Sequence, residues 1–549
     1  MRHTGRRYYL YDQTNISLQT GGKFVLLVTA EQMRKIDQVM IGEVGVSAVA
    51  LMELAGVAAA DVVTAKLTTG RERVDIVVGK GHNGADGLVA ARHLFARGCH
   101  VRVWLASEES ALSPLTFAQL RSYRALGGAV ADAGDDLSGS DLIVDALLGT
   151  GSRLPLSSTV RVFAKAIVDA GKRVISIDLP TGLDADTGLV DEAAVRADVT
   201  VTYGFAKPGL YQFPGKQYAG AVVIADLSMP EALAIDAGTR TFLLTGPDCA
   251  KRYLTRPVDS HKGTFGRVGV VAGSDGMYGA ARLAVQAAYR AGAGLVQYFA
   301  PDGLSTAVCQ SFPQETVIRR YPGVDDHWDA ARAKSCAALF DHVSSGLCGP
   351  GLGPRFVEAA SQQSSALVPF AEAAMPLVLD ADFLQALASL PGGMQDWFAR
   401  RRHATVITPH PKEFSALTGL AVSEVQGDRV KHAVEFAVQF GVHVVLKGAA
   451  TVIAAPDGVA FINTTGNSGL ASAGTGDILA GFAAGLLAGG YSALDAALLA
   501  VYVHGLAADL ACDDREAQES LTASDLLTWT GRAFRQISRA MDKETVSLT

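Results

Sequence analysis

The chain has 549 residues, well beyond a single domain of roughly 100–200 residues, so two or three domains are expected. Asp and Glu outnumber Lys and Arg by 55 to 48, a formal charge of −7 that argues against a broad nucleic-acid or polyanion surface. With 49% hydrophobic and 19% charged residues, a mainly disordered chain is excluded too.

Residues 1–27 show no clear periodicity and are expected to be an extension. They open basic, but no apolar run follows that would serve as a signal peptide. From Thr29, AEQMRKIDQVMI and SAVALMELAGVAAADVVTAKL carry apolar residues at helical spacing. VDIVVG from Val74, VRVWLA from Val101, LIVDALLG from Leu142, VISIDLP from Val174, VTVTYG from Val199 and AVVIAD from Ala221 are predicted as buried strands. Helical segments such as LVAARHLFARG separate several of them. This alternation predicts a mostly parallel sheet covered on both faces.

Residues 228–260 are irregular and broken by Pro230, Pro247 and Pro257, which places a junction near residue 245. The pattern restarts with RVGVVAG at Arg267, a helix in GAARLAVQAAYRAGAG and a strand in LVQYFA. Further strands are predicted in PLVLDAD from Pro376, TVITPH from Thr405 and HVVLKG from His443. TVIAAPDGVAFINT has the pattern of a hairpin turning at Pro456-Asp457-Gly458. The apolar stretch from Ile478 contains glycines, Asp495 and His504, and is expected to form two buried helices rather than a membrane span. The expected division is an α/β domain over 28–244 and a second over 245–549. Cys99, Cys249, Cys309, Cys336, Cys348 and Cys512 form no CxxC pair, so neither a disulfide framework nor a zinc site is expected, and a reducing cytoplasm is the simplest compartment.

In the first half, Gly79, Gly81 and Gly84 have GxGxxG spacing between a predicted strand and helix, where backbone amides can approach a phosphate. His82, Asn83 and Asp86 are unusual in a plain phosphate cradle, and capping of the helix by Asn83 or Asp86 is the competing explanation. Asp145 ends a strand before Gly149-Thr150-Gly151, and Asp178 and Thr181 end another. Ligands of open α/β sheets bind beyond the carboxyl ends of the strands, so these turns are expected to converge on one crevice. Asn83, Asp145 and Thr181 offer oxygen ligands suited to a hard cation. Lys207 could join them or be an ordinary solvated lysine.

LMELAG, GKGHNGADGLVAAR, DALLGTG and DLPTGLDADTG, in that order over about residues 29–228, resemble the NAD(P)H-hydrate epimerase domain. The resemblance implies a Rossmann-like doubly wound sheet whose loops bind the hydrated nicotinamide nucleotide. Carried over by position, it implies substrate contacts at His82, Asn83, Gly84, Ala85 and Asp86, at Gly149, Thr150, Gly151, Ser152, Arg153, Leu154 and Pro155, and at Asp178, which it also makes catalytic. It implies potassium contacts at Asn83, Asp145 and Thr181. The chain departs from the family's usual asparagine at Leu54 and His82.

The second half holds a Gly-rich loop at Leu347–Arg355, His410 between two prolines, Lys447 at a strand end, and Gly474-Thr475-Gly476-Asp477 just before a long apolar helix. Amides at such a helix start form an anion hole, beside which Asp477 could act as a base or as an ordinary cap. With Lys447 and the Gly351 loop also at strand ends, phosphoryl transfer is the preferred chemistry. His410 is ambiguous, while His93 and His504 are expected to be structural. HKGTFGRVGVVAGS, GPGLG, TPHPKEF, LKGAAT and TTGNSGLASAGTGDILAG, over about residues 245–535, resemble the ribokinase-like fold and, within it, the NAD(P)H-hydrate dehydratase family. That resemblance implies contacts of Ala280, Gly351, His410 and Asp477 with the hydrated nucleotide. It also implies contacts of Lys447, Gly448, Ala449, Ala450, Thr451 and Gly476 with the adenine nucleotide.

Together the resemblances imply a bifunctional enzyme of NADHX and NADPHX repair. An isomerase domain would interconvert the R and S hydrates. A lyase domain would dehydrate the S form with ADP, giving AMP and phosphate, Asp477 taking the hydroxyl proton. ADP is favoured because the fused layout is typical of prokaryotes. K+ is expected in the first domain and Mg2+, held by phosphates and water, in the second. The expected partners are small molecules, with no nucleic acid, no membrane and a homo-oligomeric state. The alternative is a ribokinase-like small-molecule kinase fused to a non-catalytic nucleotide-binding domain.

Overall fold

The structure is a computed structural model that describes residues 8–11, 25–69, 72–132, 135–323 and 328–546. The chain divides into two compact α/β units, Met1–Phe242 and Leu243–Thr549.

In the first unit, eight strands lie in the order Tyr8–Tyr11, Ala221–Ala225, Val199–Tyr203, Arg173–Ile177, Leu142–Ala146, Arg73–Val78, His100–Leu105 and Ala129–Val130. Every neighbouring pair is parallel except the first, which is antiparallel. The central strands are buried along almost their whole length, as continuous β-branched runs covered by helices on both faces must be. The supposed extension therefore contributes an edge strand at Tyr8–Tyr11, a short pairing that periodicity cannot reveal; residues 1–7 and 12–24 lie outside the described residues. Helix Ala30–Gly42 starts at a capping box in which Thr29 Oγ1 accepts from Gln32 N and Gln32 Oε1 accepts from Thr29 N.

The stretch expected to be irregular, 228–260, instead holds helices Glu231–Asp236 and Gly246–Arg252 around the strand Thr241–Leu244. Two of its three prolines sit where helices tolerate them, and Pro257 lies outside both helices. Pro230 is the N-cap residue of one helix and Pro247 lies in the first turn of the other.

In the second unit, parallel strands run in the order Val317–Tyr321, Leu295–Pro301, Arg267–Val271, Ser345–Cys348, Leu377–Leu379, Thr405–Ile407 and His443–Leu446. The antiparallel strands Val452–Ala454 and Ala460–Asn463 follow as the expected hairpin, closed by Ala455 N donating to Val459 O at 2.8 Å. Val317–Tyr321 and Ser345–Cys348 carry no clear strand signal of their own; the first is an edge strand with two exposed arginines.

Helices Thr475–Ala488 and Ala493–Asp514 are almost wholly buried, as the apolar stretch predicts. Ala48–Lys66 and Ala493–Asp514 are long and apolar enough to cross a membrane, and each buries most of that length within the protein. Thr475–Ala488 packs on Tyr278–Arg290 at a distance only glycine permits. A Cβ on Gly481 or Gly485 would collide with the carbonyl oxygens of Ala284 and Ala288. Replacing Gly481 with Val must separate these helices, and we expect a loss of about 1–3 kcal/mol of stability, measurable as a lower urea midpoint of the second unit's transition.

Candidate active sites

The first candidate site forms where the strands Arg73–Val78, Leu142–Ala146 and Arg173–Ile177 end side by side. Helix His82–Ala96 begins immediately, with Gly81 as N-cap and no side-chain cap bond, so Asn83 and Asp86 are helical residues rather than caps. A Cβ on Gly84 would overlap the carbonyl of Gly79, which keeps the turn tight. His82 is exposed, Gly84 and Ala85 are buried, and Asn83 and Asp86 are half-buried. Both amide atoms of Asn83 are buried without a hydrogen-bond partner, an expensive state unless a ligand satisfies them. Gly149 lies between Asn83 and Asp178: its Cβ would stand 3.3 Å from Asn83 Oδ1 and 2.5 Å from Asp178 Oδ2.

Asp145 is fully buried. It accepts from Thr181 Oγ1 at 2.7 Å, Thr181 N at 2.8 Å, Ser176 Oγ at 2.9 Å and Leu147 N at 3.2 Å. Burial raises its carboxyl above the usual range, opposed by the Thr181 hydrogen bonds. Asp145 and Thr181 are thus bonded to each other, while Asn83 lies across the Gly149 turn from Asp178. The buried Asn83 amide oxygen lacks a partner, and oxygen donors of this kind, with the Asp145 carboxylate and the Thr181 hydroxyl, are those a hard monovalent cation takes.

Asp178 has φ of +64°. Its Oδ2 accepts from Thr150 N at 2.9 Å and its Oδ1 from Lys207 Nζ at 2.8 Å. Lys207 is 1% exposed and also donates to Thr202 Oγ1 at 2.8 Å and Tyr203 O at 3.2 Å. It is therefore a buried partner of the site, not a solvated lysine.

Asp37 and Tyr203, which carry no motif in the sequence, join Asp86 at this centre. Asp37, on helix Ala30–Gly42, is pushed up to about 6 by burial, with Lys207 opposing and Asp178 adding. Asp86 rises well above the carboxylate range through burial and then the charges of Asp178 and Asp37. The Tyr203 hydroxyl is buried without a partner and is raised by burial, then by Asp86 and Asp178. Gly151, Ser152, Arg153, Leu154 and Pro155 form the loop before helix Ser158–Asp169, where Ser152 N donates to Gly149 O at 2.9 Å and Ser152 Oγ is buried and unpartnered.

The second candidate site forms at the ends of the adjacent strands Leu377–Leu379, Thr405–Ile407 and His443–Leu446. These ends present Asp380, then Thr408 to His410, then Lys447. Lys447 Nζ donates to Asp380 Oδ1 at 2.7 Å and lies 3.8 Å from Glu413 Oε2. Thr408 Oγ1 donates to the same Asp380 oxygen at 2.8 Å. His410 caps helix Pro411–Thr418: its Nδ1 accepts from Glu413 N at 3.0 Å, and Glu413 Oε2 accepts from His410 N at 2.8 Å. Burial lowers the His410 imidazole, helped by Lys447. Burial also pushes Glu413 up to about 7.

Helix Thr475–Ala488 opens with Gly474 as N-cap, so Asp477 is its third residue and not a cap. Asp477 is half-buried and pushed up to about 7, by burial first and by the Asp380 charge next, with Lys447 opposing. The helix start is braced by Thr475 Oγ1, which donates to Leu470 O and Ser472 O, each at 2.9 Å, and by His504 Nε2, 2.9 Å from Thr475 O. His504 is thereby structural; so is His93, 2.6 Å from Glu53.

Gly448, Ala449, Ala450 and Thr451 form the loop after the Lys447 strand, closed by Thr451 Oγ1 donating to Gly448 O at 2.9 Å. The buried Arg429 guanidinium donates to Leu446 O at 2.8 Å and Ala449 O at 2.6 Å, and holds this loop in place. Gly351 and Ala280 meet across the site, the Gly351 Cβ position lying 3.1 Å from Ala280 Cβ. A cavity of about 480 Å³, whose lining includes Met277, Gly353 and Asp382, opens beside them. Asp382 accepts from Gly353 N at 2.8 Å.

Each unit is thus an α/β fold with a polar site at the carboxyl ends of parallel strands, the architecture of nucleotide-handling enzymes. Residues 48–209 match the family described as YjeF-related protein N-terminus, and residues 268–530 match the family described as NAD(P)H-hydrate dehydratase. The bifunctional NAD(P)H-hydrate repair enzyme Nnr of Moorella thermoacetica is 34% identical over 94% of this chain and 98% of its own length. That of Thermofilum pendens is 35% identical over 92% and 95%. Among solved structures, the ADP/ATP-dependent NAD(P)H-hydrate dehydratase of Bacillus subtilis, crystallised with ATP and Mg2+, is 33% identical. It covers 54% of this chain and 98% of its own, with a TM-score of 0.46. The chain belongs to the family of bifunctional NAD(P)H-hydrate repair enzymes, and a kinase fused to an inert module is not favoured.

The Lys207–Asp178 pair supplies a direct test of the first site. Replacing Lys207 with Met strands a buried carboxylate, and we expect about 3–5 kcal/mol of destabilisation. Adding Asp178→Asn to that variant should recover much of the loss, as read from urea denaturation of single and double mutants.

Proposed function

We propose that the first unit interconverts the R and S hydrates of NADH and NADPH, and that the second dehydrates the S hydrate with ADP, giving AMP and phosphate. Family membership supports the pair of activities. The observation that carries the chemistry is the placing of Asp477 at the start of a helix, beside Lys447 and the free amides of Gly474–Gly476.

In the second unit, the substrate is held between Ala280, Gly351 and His410, and the nucleotide against the loop Lys447 to Thr451 and Gly476. Asp477 takes the proton of the substrate hydroxyl as the hydroxyl oxygen forms its bond to the terminal phosphorus and AMP leaves. The lone pair of the ring nitrogen then expels phosphate, and a proton lost from the neighbouring ring carbon restores the reduced nicotinamide. The helix-start amides stabilise charge on the transferred group. Mg2+ bound to the nucleotide phosphates would supply charge neutralisation; among the described residues no three His, Cys, Asp or Glu side chains are grouped to hold a metal.

In the first unit, Asp178 is the catalytic carboxylate, oriented by Lys207 and the Thr150 amide. Asn83, Asp145 and Thr181 would hold K+, which supplies a fixed positive charge beside the nucleotide. The remaining residues of the 82–86 and 149–155 segments wall the substrate. Six free cysteines support a reducing, cytoplasmic setting.

The test is recovery of NADH absorbance from a racemic hydrate mixture with ADP and Mg2+. Full recovery, faster than spontaneous epimerisation, is expected. A stop at half would overturn the first unit's role, and no recovery with ADP or ATP would overturn the second's. In Asp178→Asn, dehydration of the S form should persist while epimerisation falls by roughly 10²-fold or more.

The pH dependence follows from Asp477. Its carboxyl sits at about 7 and must be ionised to accept a proton. The rate of ADP-driven dehydration should therefore fall as the pH drops below about 7, approaching tenfold per unit. A rate that is flat down to pH 5 would remove Asp477 as the base.

A further inference from the structure

A lysine one residue away from a carboxylate base is a hazard to that base, because an ion pair would tie up the oxygen that must take the proton. Lys447 and Asp477 stand in that relation. Lys447 Nζ lies 3.4 Å from the position a Cβ of Gly476 would occupy, and Gly476 immediately precedes Asp477. Yet the ammonium is turned to Asp380 at 2.7 Å and, more loosely, to Glu413 at 3.8 Å. Among the described residues it pairs with no other carboxylate.

Asp380 itself is firmly placed. It is 1% exposed, its backbone N donates to Cys348 O at 3.1 Å, and Thr408 Oγ1 donates to the oxygen that also receives Lys447. Its other oxygen, Oδ2, faces the same Gly476 position at 3.9 Å. Ala381, the next residue, has φ of +50°, a backbone state that L-residues other than glycine seldom take and that needs outside support.

We propose that Asp380 is a positioning residue of the second site: it retains the Lys447 ammonium, so that the Asp477 carboxylate stays unpaired and free to accept the proton of the substrate hydroxyl. This rests on the reading of the second unit as a dehydratase. The groups facing Asp477 are Asp380, Asp382 and Lys447 at the strand ends. Glu413 and His410 lie at the start of helix Pro411–Thr418 beside Lys447, and His504 reaches the same helix start from Ala493–Asp514. Within this set Asp380 is the largest charge acting to raise Asp477 and Lys447 the one acting to lower it. The two partners therefore bias the base in opposite senses.

That opposition gives the experiment its signature. The rate of ADP-driven dehydration is followed against pH in wild type, Asp380→Asn and Lys447→Gln, with melting curves taken on each protein. In Asp380→Asn the neighbouring negative charge is lost and Lys447 is released toward Asp477, so the acid limb should move down by about one pH unit or more. The kcat on the plateau should fall roughly tenfold or more, with a smaller change in KM for ADP. In Lys447→Gln the limb should move up. Limbs unmoved in two folded variants, or an undiminished plateau kcat in folded Asp380→Asn, would overturn the proposal: loss of the Asp380 charge moves the limb by itself, whereas only release of Lys447 onto Asp477 lowers the plateau. If Asp380→Asn fails to fold, Asp380→Glu decides, because it keeps the charge but displaces the ammonium: a lowered plateau kcat supports the proposal, an unchanged one overturns it. Wild-type protein inactive with ADP and ATP would overturn the dehydratase reading and the proposal with it. An active wild type with unmoved limbs would overturn the proposal alone.

Discussion

A lysine removed from water must be paired, and each unit of this chain is organised around one such lysine. Lys207 spends its three protons on Asp178, Thr202 Oγ1 and Tyr203 O. Lys447 is held by Asp380 and approached by Glu413. Such pairs contribute little net stability, because desolvation offsets the Coulomb attraction, but breaking one is costly. Their effect is therefore on geometry. Asp178 and Lys207 leave different parallel strands, as do Asp380 and Lys447, so each pair pins two strand ends and the turns that follow. The sites are built on those turns.

The pinned turns carry backbone strain. Among the described residues, four that are not glycine have positive φ, and three of them are Asp178, Ala381 and Ala450. Each costs on the order of 1–3 kcal/mol unless its surroundings fix it. Asp178 is fixed by its side-chain partners and by its N–H, which donates to Val201 O at 2.7 Å. Ala450 lies in the loop tied to Arg429. Ala381 links Asp380, on Lys447, to Asp382, on the Gly353 amide. Strain and polar partners coincide because a carboxylate aimed at a ligand cannot also relax toward the backbone conformation that its own sequence prefers.

Much of the strand and helix order was legible in the sequence, because buried parallel strands are unbroken β-branched runs and Gly-rich turns mark their ends. The residues of the two turn clusters were legible by the same logic, as Asp145, Asp178, Lys447 and Asp477 all close strands or open helices. What periodicity does not carry was lost. Tyr8–Tyr11 is a strand only because Ala221–Ala225 offers it an edge, and the helices of 231–252 are too short for a helical repeat to appear. Asp380 was written in a predicted strand, PLVLDAD, yet its partner lies 67 residues away, and no local spacing announces an ion pair of that span. Asp37 and Arg429 are single charged residues on amphipathic helices, where a solvated face is the ordinary expectation. For the same reason the sequence leaves Lys207 open between the site and solvent, and only its burial decides.

The second site has an electrostatic difficulty that its own chemistry resolves. Asp380, Asp382, Glu413 and Asp477 surround one lysine, and an anionic phosphate is meant to arrive among them. Four ionised carboxylates would repel it. Burial pushes both Glu413 and Asp477 up to about 7, so near neutrality each spends much of its time protonated and uncharged. Burial raises Asp382 as well, and Lys447 pairs with Asp380. The helix-start amides then supply the positive potential a phosphoryl group needs. An arriving phosphate raises the neighbouring carboxyls further, so nucleotide binding and proton uptake are thermodynamically linked. Departure of the charge on the leaving nucleotide reverses that linkage. The base must be ionised while the nucleotide is bound, so the helix-start amides and Lys447 have to offset the phosphate charge that would otherwise keep Asp477 protonated.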